Sequence, residues 1–215
     1  MKTALLTGAT GLVGSQLLNL LLNQSDYEKI IVIARRTIPT QHPKINYIIT
    51  DFERLSEITL DVSITDAYCC LGTTLQKAGS RAAFRKVDYE YVYLFAKLAQ
   101  KWGAKRFLFV SAVGANKKSI FFYSRVKGEI EEAISQLGFE LCAIFRPSLL
   151  LGKRNEIRIA ESIAAKIDKL LGFLIPKRYR AVSALKVARA MLEIAKSDAK
   201  GNIVIESEQI HQYSL

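Results

Sequence analysis

Residues 7–14, Thr-Gly-Ala-Thr-Gly-Leu-Val-Gly, constrain the architecture of this chain more than any other stretch. They follow an apolar run at 2–6 that reads as a buried strand, and they precede 15–22, which reads as a helix. Gly8, Gly11 and Gly14 therefore stand where a strand turns into a helix. A nucleotide-binding α/β fold needs glycine there for three separate reasons. The first glycine permits a tight turn, the second lets backbone N–H groups reach a pyrophosphate, and the third lets helix and strand pack closely. Thr10, Leu12 and Val13 share the turn, and the helix start offers unpaired N–H donors and the positive end of its dipole. A glycine-rich turn without a ligand has the same spacing, so it is the strand-turn-helix context that favours phosphate.

Apolar strand-like runs then alternate with helix-like segments, the pattern of a parallel sheet covered on both faces. Strands are expected at 3–6, 29–34, 45–49, 67–71, 106–110, 139–145 and 202–206. Helices are expected at 12–23, 80–101, 122–137, 157–171 and 184–196. The 80–101 helix carries Val87, Tyr91, Leu94, Phe95 and Leu98 at three- and four-residue spacing, and Gly103 is its natural stop. The expected fold is α/β: a doubly wound, mostly parallel sheet forming one domain of 215 residues. Residues 1–152 make its core, and 153–215 a short helical cap and substrate-side segment.

Lysine and arginine exceed aspartate and glutamate by 31 to 20, which suits an anionic partner. No basic block is interleaved with aromatics in the way that stacks single-stranded bases, which argues against nucleic acid. Cys69, Cys70 and Cys142 all lie in apolar runs, and an odd count fits reduced, buried thiols. His42 and His211 have no companion at metal-ligand spacing, so no metal is expected. Glycines interrupt the amino-terminal apolar run before it reaches signal-peptide length, and no stretch approaches the ~20 apolar residues of a membrane span. A soluble, cytoplasmic protein is the expectation.

Several residues suggest chemistry. Arg35 and Arg36 end the second strand, where an acid would accept a free ribose 2′-hydroxyl and a base would accommodate a 2′-phosphate. Two planar guanidiniums favour NADP(H) over NAD(H); two surface arginines on a basic protein are the other reading. Asp51 and Phe52, beyond the third strand, are placed to flank an adenine, or Asp51 caps a turn. Leu71, Gly72 and Thr73 follow the fourth strand, on the side where open α/β sheets bind ligands. Tyr123 and Lys127 lie one turn apart on a helix, and a lysine ammonium favours phenolate, as an acid/base tyrosine requires. Tyr93 and Lys97 repeat the spacing, but mid-helix before the fifth strand. Ser111, at the carboxyl end of that strand, is placed to hydrogen-bond the same substrate oxygen, or serves as a turn serine.

Together, residues 7–14, Ser111, Tyr123 with Lys127, and Arg146-Pro147-Ser148 resemble the short-chain dehydrogenase/reductase superfamily in its atypical branch. Residues 69–74, Val87-Asp88, Phe145-Arg146-Pro147 and Leu151-Gly152 narrow the resemblance to the Tat-interacting-protein-like oxidoreductases. The resemblance implies a Rossmann-type fold in which the glycine turn holds pyrophosphate and Lys127 also holds the nicotinamide ribose. It implies that Pro147 and Ser148 approach the nicotinamide. Asp88 departs from the asparagine of many relatives. Pairing of the two long helices between subunits, common in the superfamily, leaves monomer and homodimer open.

The function expected is an NADP(H)-dependent oxidoreductase acting on a small carbonyl or alcohol, in a pocket to which Phe121, Phe122 and Phe173 are candidates to contribute. The alternative is an NADPH-binding regulator or scaffold that contacts a protein partner with little turnover.

Overall fold

The computed structural model describes residues 1–152 and 176–213. Seven strands form one parallel sheet: β1 (Lys2–Thr7), β2 (Tyr27–Ala34), β3 (Ile45–Ile49), β4 (Asp66–Cys69), β5 (Arg106–Val110), β6 (Leu141–Arg146) and β9 (Gly201–Glu206). Their order is β3-β2-β1-β4-β5-β6-β9, and every pairing is parallel. The order reverses between β1 and β4, which opens the crevice where doubly wound sheets take their ligands. A second, two-stranded pair joins β7 (Leu150–Leu151) to β8 (Val182–Ser183).

Both faces of the sheet are buried, so the middles of its central strands carry apolar residues on both sides rather than alternating with polar ones. Leu6, Ile30 and Val32 pack on one side with α1 (Leu12–Leu22) and α6 (Ala184–Lys196). Leu5, Ile31, Ile33, Phe107 and Phe109 pack on the other, beneath α4 (Tyr91–Lys101) and α5 (Phe122–Ser135). Of the carboxyl-terminal segment, α6 thus lies on α1, β9 completes the sheet, and the short α7 (Ser207–Ile210) follows it. The expected helix at 157–171 and Phe173 lie outside the described residues.

The helix expected at 80–101 is built in three pieces. These are the short α3 (Arg81–Arg85), a π-helical turn at Lys86–Glu90, and α4; a separate short helix, α2 (Leu75–Ala78), precedes the segment. The Ser80 side chain caps α3 by accepting from the Ala83 N–H. Cys69 and Cys142 are buried, and burial pushes each thiol up to about 12. Among the described residues no helix is long and apolar enough to cross a membrane.

Candidate functional site

The turn between β1 and α1 is cut to fit around backbone. Gly8 has φ of +77°, and a Cβ there would lie 2.3 Å from the Cys70 carbonyl oxygen. A Cβ on Gly14 would lie 2.2 Å from the Gly8 carbonyl oxygen, so the third glycine sets the approach of helix to turn. Gly11 is the N-cap of α1 and supplies no side-chain cap, so the first N–H groups of the helix remain open. Thr10 is exposed at the tip, Leu12 is half-buried and Val13 is in the core. The glycines thus let the turn pack tightly on neighbouring backbone, while the uncapped start of α1 leaves N–H donors that suit a phosphate.

Arg35 and Arg36 are both exposed just past β2, and neither has an ion-pair partner among the described residues. Asp51 caps a 3-10 helix at Phe52–Glu57 by accepting from the Glu53 N–H at 3.2 Å. Phe52 is 3% exposed and its ring stacks on Tyr91, so only its backbone is available to an adenine. Leu71 packs against the core, while Gly72 and Thr73 form the loop after β4.

That loop meets α5 through Asp88. One carboxylate oxygen, Oδ2, accepts from the Thr73 N–H at 2.8 Å, and the other, Oδ1, lies 2.8 Å from Lys127 Nζ. Asp88 is fully buried and Lys127 is 3% exposed. Burial works against the Lys127 ammonium, but the Asp88 carboxylate and the Tyr123 hydroxyl oppose it, and the lysine stays above its ordinary value. A Cβ on Gly72 would lie 3.5 Å from Asp88 Oδ1 and 3.9 Å from Lys127 Nζ, so the ion pair borders the loop directly. The π-turn that displaces Asp88 from regular helical geometry has no signature that periodicity detects.

Tyr123, Lys127 and Glu131 are spaced four residues apart and share one face of α5. Tyr123 is half-buried against Phe84, with ring centroids 5.3 Å apart. Its hydroxyl has no hydrogen-bond partner among the described residues. Gly128 lets the loop before α5 touch the helix, since a Cβ there would lie 2.1 Å from the Lys117 nitrogen. Asn116 N–H donates to the Ser124 carbonyl at 2.9 Å, which holds the same loop against the turn bearing Tyr123.

Ser111 sits beside this face, but its hydroxyl donates to Glu131. Glu131 in turn accepts from Arg146 Nε at 3.1 Å and Nη2 at 2.6 Å, and Arg146 Nη1 reaches Glu206 at 2.9 Å. These carboxylates hold the Arg146 guanidinium above its usual range. Pro147 is buried, and its carbonyl accepts from the Val113 N–H at 3.0 Å. The Ser148 hydroxyl donates to the Arg180 carbonyl. The structure therefore brings the glycine turn, the β4 loop and the Tyr123/Lys127 helix to one end of the sheet. It ties Ser111 and Ser148 to other protein groups. Glu131, which sequence reasoning passed over, carries a legible signal, for it continues the Tyr123 and Lys127 spacing by one turn.

Residues 4–126 match the family described as NAD dependent epimerase/dehydratase. The chain belongs to that family. Within it, this is an atypical short-chain dehydrogenase/reductase related to the Tat-interacting proteins. Protein HTATIP2 of Rattus norvegicus is 36% identical over 214 residues, covering 97% of this chain and 88% of that protein. Protein FMP52, mitochondrial, of Candida albicans is 35% identical, covering 94% of this chain and 91% of the relative. Among solved structures, the Bordetella bronchiseptica enzyme WbmH in complex with NAD+ superposes with a TM-score of 0.72. It is 15% identical, covering 96% of this chain and 76% of that one. A short-chain dehydrogenase family protein from Francisella tularensis gives 0.69 at 15% identity, covering 99% of this chain and all of that one. These likenesses agree with the Rossmann fold. The cytoplasmic expectation is corrected: several fungal relatives are named as mitochondrial proteins. Free cysteines, and the absence among the described residues of a helix able to cross a membrane, do not distinguish the two compartments.

Proposed function

We propose that this family member is an NADP(H)-dependent oxidoreductase that moves hydride to or from a small carbonyl or alcohol. The observation that carries the reading is the buried Lys127–Asp88 pair at 2.8 Å, one helical turn from a half-buried tyrosine and bordering the loop after β4. A buried ammonium is costly unless it is paired, and its position beside a ligand-side loop suits orientation of a ribose and an acid/base phenol.

Gly8, Gly11 and Gly14 would hold the pyrophosphate with the open N–H groups of α1, and Arg35 and Arg36 would hold the 2′-phosphate. Asp51, the Phe52 backbone, Leu71, Gly72 and Thr73 would line the adenosine and the bridge, with Pro147 and Ser148 toward the nicotinamide. Bound there, the cofactor supplies or accepts hydride. Tyr123 gives its proton to the carbonyl oxygen, or takes one from the alcohol in reverse. Lys127 keeps positive charge beside the phenol and faces the ribose. Asp88 fixes the lysine and the Thr73 backbone with a single carboxylate.

Ser111 is proposed to orient the substrate oxygen. With its proton on Glu131, it offers lone pairs and is complementary to an alcohol O–H. Facing a carbonyl oxygen, it must first turn its proton from Glu131. That commitment is the one observation favouring the second reading, a cofactor-binding regulator with little turnover. Tyr123→Phe separates the two. An enzyme loses turnover with aldehyde and ketone substrates while still binding NADPH, whereas a regulator has no turnover to lose.

A further inference from the structure

Among the described residues eight large apolar side chains are left in solvent, and four of them share a setting. Ile120 is 85% exposed and Phe121 70%, Leu149 is 57% and Tyr179 58%. All four sit on segments that follow the carboxyl ends of β5 and β6 or pack against them. Val182 N–H donates to the Leu149 carbonyl, and Ser148 donates to the Arg180 carbonyl. Each apolar pair has basic neighbours: Lys117 and Lys118 before Ile120, and Lys177, Arg178 and Arg180 around Tyr179.

The two basic segments belong to one surface. Lys117 and Arg178 line the same open cavity of about 610 Å³, with Arg146 and Glu131 deeper in its wall. Lys117 pairs with Glu132, and Arg178 approaches Glu206 at 3.6 Å. Lys118 and Lys177 are exposed and have no ion-pair partner among the described residues. Exposed aliphatic and aromatic tips ringed by unpaired lysines combine the two contacts a lipid headgroup region offers, apolar insertion and anionic phosphate. A second copy of the chain fits poorly, because each carries a formal charge of +11 and would set these lysines against their own kind.

We propose that this end of the molecule docks on an anionic membrane surface, with Ile120 and Phe121 entering the headgroup layer and Lys118 and Lys177 facing lipid phosphates. The docked face lies at the carboxyl ends of the strands, as the cofactor crevice does. The proposal stands apart from the oxidoreductase reading, since its test contains neither cofactor nor substrate.

The experiment is co-sedimentation of the full chain with vesicles of phosphatidylcholine alone, and of phosphatidylcholine with about one-third phosphatidylserine. The chain should partition onto the anionic vesicles and not the neutral ones, and added salt should weaken the binding. Replacing both apolar tips (Ile120→Ser with Phe121→Ser) should cost about tenfold in partitioning. Reversing both lysines (Lys118→Glu with Lys177→Glu) should abolish the preference for anionic lipid. Ile49→Ser, at an apolar residue exposed on β3, the edge strand at the far side of the sheet, should leave partitioning unchanged. Circular dichroism of each variant checks that the fold is retained. No preference for anionic vesicles, wild-type partitioning by both double variants, or an equal loss in Ile49→Ser would overturn the assignment.

Discussion

Gly8 is the residue on which the cradle turns, because its backbone is left-handed and the place of its missing side chain is filled by the Cys70 carbonyl. Gly8→Ala combines an unfavourable φ with a clash against backbone that has nowhere to go. It should destabilise the fold by roughly 2 kcal/mol or more, read as a lower midpoint in guanidinium unfolding. Gly11→Ala meets the Gly8 oxygen at a milder 3.2 Å and should cost clearly less; equal losses would show that the turn relaxes freely. Tyr123→Phe tests chemistry instead of architecture. The ring keeps its packing on Phe84, so thermal stability should stay within experimental error. Turnover should fall on the order of 10² to 10⁴-fold if the phenol is the acid/base group. A variant that turns over like wild type would remove Tyr123 from the mechanism.

At the level of elements, the strand-turn-helix at the amino terminus, β3, β5 and α6 are written plainly in the sequence, as apolar runs and a 3.6-residue period bounded by glycine, proline or serine. The π-turn at Lys86–Glu90 is not, because a single wide turn leaves the apolar spacing nearly unchanged. The Lys127–Asp88 pair was hidden with it, since the two residues are brought together only by packing of two helices. Ser111 was legible as a residue at a strand end, but its tie to Glu131 depends on α5 lying alongside β5 and β6. Asp88→Ala should leave a buried ammonium without its counter-charge and free the Thr73 N–H. A loss of about 3–5 kcal/mol is expected in denaturant unfolding, against a smaller loss for Asp88→Asn. The lysine's folded value lies above its ordinary 10.5, so its pairing stabilises at neutral pH and is lost only as pH rises through that raised value. Stability of the wild type should therefore gain nothing from this ion pair in strong alkali, where the gap between Asp88→Ala and wild type should narrow to what the Thr73 hydrogen bond contributes.

On the scale of the whole molecule, seven parallel strands covered on both faces make one cooperative core, and the site residues are mounted on its strand ends. The core also protects two thiols. Cys69 and Cys142 are held at about 12, above the reference of 9.0, so the unfolded chain releases these protons first and stability falls as pH rises from 9 toward 12. Both should resist alkylation at pH 8 until denaturant is added, as mass spectrometry of the modified chain would show; rapid labelling of native protein would contradict the packing. The central claim concerns the phosphate cradle and the two arginines at the end of β2. Isothermal calorimetry with NADPH and with NADH, on wild type and on Arg35→Ala with Arg36→Ala, tests it most directly. Tighter binding of NADPH than of NADH is predicted, with the double variant losing about tenfold to a hundredfold for NADPH alone. Equal affinities for the two cofactors in the wild type, or binding of neither, would contradict it.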